Sequence, residues 1–525
     1  IDARLDAVAA IAADALARDA LREALDGVRD VERLAAKAAA ARATPRELRA
    51  LGDSLGRLPA VRAALVRLTT EQAASPRLAT ALGAWDDAPD LHVAIVDALV
   101  ARPPLFIGEE PTIAPGVDAE LDALRALRDG GKDAIAEIQA TERQRTGIAS
   151  LKVGYNKVFG YFLEISNAHR DRVPADYQRR QTLTNGERYV TPALKEYEEK
   201  VLGAAERIEA RERTLFEALR ARAGAEVARL QAIAARIAEL DVLAALAEVA
   251  EREGYVRPDI TEEFALDVVG GRHPVVERMM PREKFIPNDV RLTDDARLVI
   301  LTGPNMAGKS TILRQVGLIV LMAQVGSFVP ATRATVGLVD RLFTRVGASD
   351  NLVRGQSTFM VEMTETSAIL ATATRRSLVL LDEIGRGTST YDGVSIAWSV
   401  SEHLHDRIGC KTIFATHYHE LVALADELPA VRNMTVAVRE VGDQVLFLHR
   451  LIPGGADRSY GIEVGRLAGL PPAVLARAKE VLAVLEGEGA AIAAEAPARG
   501  GRLPTPAPRG ARRPRTVPPD QLALF

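Results

Sequence analysis

Apolar residues recur at helical spacing through the first hundred positions, set among Ala, Leu, Arg and scattered charges. Breaks fall near Thr44-Pro45, Leu58-Pro59, Ser75-Pro76 and Ala88-Pro89. Residues 117–145 read as a further helix, with Leu121, Leu124, Leu127, Ile135 and Ile138 apolar. Between about 148 and 192 the period changes. Val158-Phe-Gly-Tyr-Phe-Leu-Glu-Ile-Ser166 alternates as a half-buried strand does, and neighbouring stretches read as short strands. Residues 193–250 return to a long helix. In it Val201, Ile208 and Leu215 stand seven apart, and Val227, Leu230, Ile233 or Ala234, Ile237 and Leu240 follow at three- and four-residue steps. A helix of that length cannot bury itself alone. It predicts a lever packed against the incoming helix, with the small strand-rich piece at its tip and Gly224 as a kink.

Beyond Gly254–Pro258 the pattern is that of an α/β unit. Residues 298–301 form an apolar strand, and Ile312, Leu313, Val316, Ile319, Val320 and Ala323 mark a helix after it. Strand and helix flank Gly303-Pro304-Asn305-Met306-Ala307-Gly308-Lys309-Ser310-Thr311, a phosphate-binding loop. Glycines let backbone N–H groups curl around an anion. In such a loop Lys309 reaches the β- and γ-phosphates, and Ser310 holds Mg²⁺. A second apolar strand, from Ser377, ends in Asp382-Glu383. Phosphoryl transfer needs positioning and charge neutralisation, so Asp382 is expected beside the metal and Glu383 as general base. Gly385-Arg-Gly-Thr-Ser-Thr390 follows as a turn beside the metal. A third strand, from Thr412, ends in Thr416-His417, suited to sensing a γ-phosphate. His417-x-His419 also has the spacing of a metal pair, but no Cys lies near it and matching Asp or Glu ligands are lacking.

These segments, with Ser357-Thr-Phe-Met-Val-Glu-Met363 and Phe414-Ala-Thr-His-Tyr418, resemble the MutS family of DNA mismatch-repair ATPases across residues 285–420. Leu151-Lys-Val-Gly-Tyr-Asn156 and Arg180-Gln-Thr-Leu-Thr-Asn-Gly-Glu-Arg-Tyr189 resemble that family's DNA-clamp segment. Many bacterial members carry Gly where this chain has Ala307, a small residue the loop should tolerate. The resemblance implies ATP or ADP with Mg²⁺ as cofactors. It makes Glu383, His417 and Lys309 catalytic, places Phe285 and Ile286 on adenine, and sends Ser357 to the nucleotide of a partner subunit. It implies a multidomain α and α/β fold: a helical core over 1–116, a lever helix and clamp over 117–207, and a returning lever over 208–257. A P-loop ATPase of the ABC type over 258–455 and a helix-turn-helix dimerisation segment over 456–486 complete it. Expected partners are double-stranded DNA, a second copy of the chain and a MutL-type repair protein.

Net charge is −4, so DNA contact must come from a local patch. Lys152, Lys157, Arg179, Arg180 and Arg188 lie in the strand-rich stretch among Tyr155, Tyr161, Tyr177 and Tyr189, and could neutralise phosphates without reading bases. Phe162-Leu-Glu164 has the Phe-x-Glu spacing of the family's mismatch wedge but lies inside the alternating strand, so no mismatch reader is expected in this chain. One cysteine, Cys410, excludes an internal disulfide and fits a reducing cytosol, and the resemblance implies a bacterial cytoplasmic protein associated with the nucleoid. No apolar run approaches a membrane span. Residue 1 is Ile rather than Met, as in a partial or processed protein. From about 487 to 525 the Ala/Pro/Gly/Arg-rich sequence predicts a disordered tail. It closes on Gln521-Leu-Ala-Leu-Phe525, which resembles a sliding-clamp-binding peptide.

Overall fold

The computed structural model describes residues 1–70, 75–129, 131–156, 160–304, 306–346, 358–441, 444–456 and 460–494, without the side chains at 131–133, 201–202, 282, 441, 444 and 485–494. Asn305, Lys157, Ser357 and the peptide 521–525 therefore lie outside the described residues.

The helical part opens with α1 (Asp2–Ala13), α2 (Ala15–Leu25), α3 (Val31–Ala39), α4 (Pro45–Leu55), α5 (Leu58–Thr70), α6 (Pro76–Gly83) and α7 (Pro89–Ala98). The prolines that mark breaks in the sequence are helix starts. Pro45, Pro76 and Pro89 occupy the first turn, where a missing N–H costs nothing. Thr44 and Glu47 close a capping box over the same turn of α4. The core these helices enclose is completed from far along the chain by Leu230, Ile233, Leu240 and Leu243.

The chain then leaves along α8 (Ala119–Asp129) and α9 (Gly131–Thr146) to β1 (Lys152–Asn156), β2 (Gly160–Ser166), β3 (Gln178–Leu183) and β4 (Gly186–Val190), an antiparallel sheet in the order β1-β2-β4-β3. Ile148, Leu151, Leu163, Ile165, Tyr177, Tyr189 and Leu194 give it a small core of its own. Phe162 is buried there under the Arg188 guanidinium, 4.2 Å from its ring centroid, and Glu164 accepts from Arg188 at 3.1 Å. The Phe-x-Glu spacing is thus part of the strand, as its alternation predicts.

The chain returns along α10 (Pro192–Ala225) and α11 (Val227–Glu253). Arg211 clasps Asp118 at 2.6 Å, and buried Glu212 accepts from Arg125 at 2.6 Å, fastening α10 to α8. The break in the long helix falls at Glu226 (φ −88, ψ 14), not at Gly224. Gly224 is where α10 presses on α3: a Cβ there would meet Ala38 O and Ala39 Cα at 2.9 Å. The expected kink is a packing contact, and the helix turns two residues later.

After Gly254, in the left-handed conformation that ends α11, come β5 (Asp259–Thr261), β6 (Leu266–Gly271), β7 (Asn288–Leu292) and β8 (Leu298–Thr302). Next are α12 (Lys309–Val325), β9 (Arg333–Gly337), β10 (Leu342–Arg345), α13 (Thr358–Thr372), β11 (Leu378–Asp382), α14 (Thr390–Glu402), β12 (Lys411–Ala415), α15 (Leu424–Glu427), β13 (Val431–Val441) and β14 (Gln444–Pro453). One sheet runs β5-β9-β6-β7. The other runs β10-β11-β12-β8-β13-β14, parallel except for β14. Leu301, Leu380 and Ile413 face α12 and the smaller sheet, while Ile300, Leu381 and Phe414 face the side of α14. Covered on both faces, these strands read as unbroken apolar runs.

Finally α16 (Gly461–Leu467) and α17 (Pro472–Ala494) form a helical pair. Helix continues to Ala494, so residues 487–494 are helical where the sequence predicts disorder, and the rest of the expected tail lies outside the described residues. Ala-rich residues 488–494 have the propensity to extend the helix, which the glycines at 487 and 489 do not outweigh. Among the described residues no helix is long and apolar enough to cross a membrane.

Candidate nucleotide site

Three strand ends build the site. Ala415 of β12 stands in register with Asp382 on one side and Leu301 on the other, so the exits of β11, β12 and β8 lie side by side. In open parallel sheets this carboxyl edge is where ligands sit.

From β8 the chain enters the loop through Gly303 (φ +127), Met306 (φ +67) and Gly308 (φ +102), left-handed positions that curl the backbone ahead of α12. No side chain caps α12 at Gly308, and the first-turn N–H groups at Lys309, Ser310 and Thr311 face the loop with no intrahelical acceptor. Ala307 is fully buried, its methyl packed within the loop. Buried Lys309 donates through Nζ to the carbonyls of Gly303 at 2.6 Å and Pro304 at 3.2 Å, and stands 4.0 Å from Glu383 Oε1.

β11 delivers the acids. Asp382 Oδ1 is buried without a hydrogen-bond partner. A carboxylate oxygen costs free energy in that state, and the Ser310 hydroxyl is a hard oxygen donor that the loop offers. One carboxylate and one hydroxyl suit Mg²⁺, which keeps most of its ligands as water and phosphate. Glu383 takes a left-handed φ of +57 after donating its N–H to Ala415 O at 2.8 Å. Burial raises its carboxyl above the ordinary range, opposed by Arg386. Burial also lowers Lys309, opposed by Glu383 and Asp382.

β12 continues to Thr416, whose N–H reaches Leu301 O at 2.9 Å, and then to His417. Burial first, then the charges of Arg386 and Lys309, lower His417 to about 4. It is therefore a neutral imidazole near pH 7, with one donor and one acceptor nitrogen. His419 points elsewhere, its Nδ1 2.6 Å from Ala456 O, and no cluster of metal-ligating side chains occurs among the described residues.

Two neighbours were not singled out in the sequence. Arg386 pairs with Glu383 and lies 3.4 Å from His417 Nδ1. Its signal was its place three residues after Glu383. His449 approaches the Ala307 carbonyl at 2.9 Å and, with Phe285, Ile286, Met306 and Thr311, lines a cleft of about 200 Å³ beside the loop. Asn288 fixes this wall, donating to Ile286 O and His449 O and accepting from Leu451 N. A lone His on an antiparallel strand carried no signal.

Residues 116–207 match the model of MutS family domain IV, and residues 299–486 that of MutS domain V. This chain belongs to the MutS family. It is 54% identical over 489 residues to the DNA mismatch repair protein MutS of Myxococcus xanthus, an alignment covering 93% of this chain and 54% of that protein. Against the protein of the same name from Anaeromyxobacter dehalogenans strain 2CP-1 identity is 55% over 497 residues, covering 93% and 56%. Against that of Salinibacter ruber it is 52% over 500, covering 94% and 54%. The chain thus spans about half the length of these MutS relatives.

The domain IV match contains the small sheet and its basic residues. Lys152 on β1 is exposed. Arg188 is engaged within the sheet by Glu164, Gln181 and Phe162. Arg179 is drawn to buried Glu187 at 3.3 Å, which also holds Arg170 and Tyr189. Arg180 is exposed at the register shift between Arg179 and Gln181, a bulge that turns it out of the ladder.

Proposed function

We propose that this chain acts in DNA mismatch repair as an ATP-hydrolysing element that controls a clamp on double-stranded DNA. The observation that carries the reading is the convergence at one sheet edge of Lys309, the Asp382-Glu383 pair and His417. Loop N–H groups and Lys309 bind the triphosphate. Ser310 and Asp382 would hold Mg²⁺, which would supply positive charge to offset that of the triphosphate. Glu383 takes the proton of the attacking water, and neutral His417 donates to the γ-phosphate. Phe285, Ile286 and His449 receive the base. The relatives' identity as DNA mismatch repair proteins supports the repair role over a recombination protein that clamps DNA without reading mismatches. The family resemblance further supports a P-loop ATPase paired with a second copy through α16 and α17, Ser357 completing the partner's site. It also supports a MutL-type partner, and the likeness of Gln521–Phe525 to a sliding-clamp-binding peptide supports contact with a sliding clamp.

Equilibrium nucleotide binding and single-turnover hydrolysis test the core of this reading. Glu383→Gln should retain binding and lose about a hundredfold or more in hydrolysis, the scale of general-base catalysis. Lys309→Met should weaken binding of the triphosphate. Wild-type hydrolysis by Glu383→Gln would remove the base from the mechanism.

A further inference from the structure

Glu362 belongs to none of the roles above, yet it is a buried carboxylate, 7% exposed, with no ion-pair partner among the described residues. Its Oε1 accepts the N–H of Gly385 at 2.6 Å. The Gly385 carbonyl in turn accepts from Tyr418 Oη at 2.8 Å, and Tyr418 is anchored by its own N–H to Thr416 Oγ1 at 2.9 Å. One hydrogen-bonded chain thus runs from α13 through the turn after the acids to the exit of β12. Phe359 adds a second contact: a Cβ on Gly387 would lie 2.7 Å from the Phe359 Cβ. Phe359 and Glu362 are three residues apart, on one face of α13.

The chain clasps a strained segment. Glu383 is a non-glycine residue at φ +57, a conformation that persists only where the surroundings over-determine it. Its N–H is held by Ala415 O, before the side chain. Beyond it, buried Ile384 and then Gly385 (φ +93) fix the exit, and Gly385 is the residue that Glu362 and Tyr418 grip from opposite sides. The backbone packs closely here, since a Cβ on Gly385 would meet Gly393 O at 2.7 Å.

We propose that Glu362 is a positioning residue that locks the left-handed turn at Glu383, so that the placement of α13 sets the aim of the base. This rests on Glu383 being the base, and it assigns Glu362 no contact with nucleotide. Losing the acceptor leaves the Gly385 N–H buried and unpaired, and the turn relaxes toward an ordinary φ that swings the Glu383 carboxylate away from Lys309.

The test uses the full chain with three readouts: thermal midpoint, equilibrium binding of a non-hydrolysable ATP analogue, and single-turnover hydrolysis. Glu362→Leu should bind the analogue within about twofold of wild type and hydrolyse at least about tenfold more slowly. Glu362→Gln, which keeps the accepting oxygen, should restore most of the rate. Tyr418→Phe loosens the other side of the grip and should slow hydrolysis several-fold without affecting binding, which serves should Glu362→Leu fail to fold. In a Glu383→Gln background, Glu362→Leu should slow hydrolysis no further, as residues acting as a unit behave. If Glu383→Gln is slow while Glu362→Leu and Tyr418→Phe hydrolyse at the wild-type rate, the positioning role is wrong and the base assignment stands. If Glu383→Gln hydrolyses normally, both fall. Binding lost in parallel with hydrolysis, without rescue by Gln, would reduce Glu362 to a folding role.

Discussion

Gly224 and Gly203 occupy the same helix, α10, and are opposite in surroundings. A Cβ at Gly203 meets nothing within 4 Å. One at Gly224 would stand 2.9 Å from Ala38 O, 2.9 Å from Ala39 Cα and 3.1 Å from Ala38 C, all backbone of α3 or its cap. Backbone in a packed core cannot swing aside as a side-chain tip can. Gly203→Ala should therefore gain the full helix propensity difference, about 1 kcal/mol. Gly224→Ala gains the same term but must push two helices apart, and overpacking costs about 1–3 kcal/mol. The net is a loss of about 0–2 kcal/mol for Gly224→Ala, by subtraction of those two figures. Comparing the two variants cancels propensity and leaves the steric cost alone. Urea unfolding followed by far-ultraviolet circular dichroism gives the comparison as a shift in the helical transition. If Gly224 were a kink rather than a contact, alanine would stiffen the helix and both variants would be equally stabilised. Equal gains would refute the packing argument.

Three further expectations follow from the geometry. His417 titrates near 4 in the fold against about 6.5 unfolded, so the unfolded chain binds the extra proton between these values. Stability from this group is present above about 6.5 and is lost as pH falls toward 4. Glu383, raised by burial, acts with the opposite sign, so the contribution is isolated by His417→Asn, which should flatten the fall in thermal midpoint over that window; an unchanged pH profile would contradict the burial of the imidazole. Arg180→Ala should weaken binding to all duplexes alike and lower the salt dependence by about 0.9 per lost phosphate contact, with a smaller effect from Arg179→Ala because Glu187 already holds that charge; equal salt slopes in wild type and Arg180→Ala would take the bulge out of the DNA surface. Asp382→Asn should raise the Mg²⁺ concentration needed for half-maximal hydrolysis while analogue binding without metal is little changed, and an unaltered Mg²⁺ titration would exclude Asp382 from the metal site.

Much of this was legible in the sequence because two signals are local. Period two over 158–166 points to β2, described over Gly160–Ser166, the apolar runs at 298–301 and 378–381 appear as strands, and the loop glycines appear where positive φ is needed. Lys309, Asp382, Glu383 and His417 were placed on separate segments, and the structure brings them to one edge through the β11-β12-β8 register. What escaped is non-local. Arg386 and His449 take their places from distance in space, not spacing in sequence. Gly224 was misread because a glycine in a helix looks alike whether it bends the helix or admits a neighbour. Helix through Ala494 was missed because composition masked the propensity of its alanines. Arg179 and Arg188 looked like free charges until Glu187 and Glu164 were found opposite them.

The interruption at Glu226 has a mechanical meaning. From there α10 runs 34 residues to Pro192, where the small sheet begins. At 1.5 Å per residue that is an arm of about 50 Å. A rotation of about 5° at its root moves the far end by about 4 Å, roughly a side-chain length, given that rise per residue. The fulcrum sits inside the helical core, so sub-ångström adjustments of packing around α3 and α11 are geared up at the sheet. On the proposed reading, gripping or releasing a duplex would then need no unfolding of the small sheet, only a change of bearing at the other end of the rod.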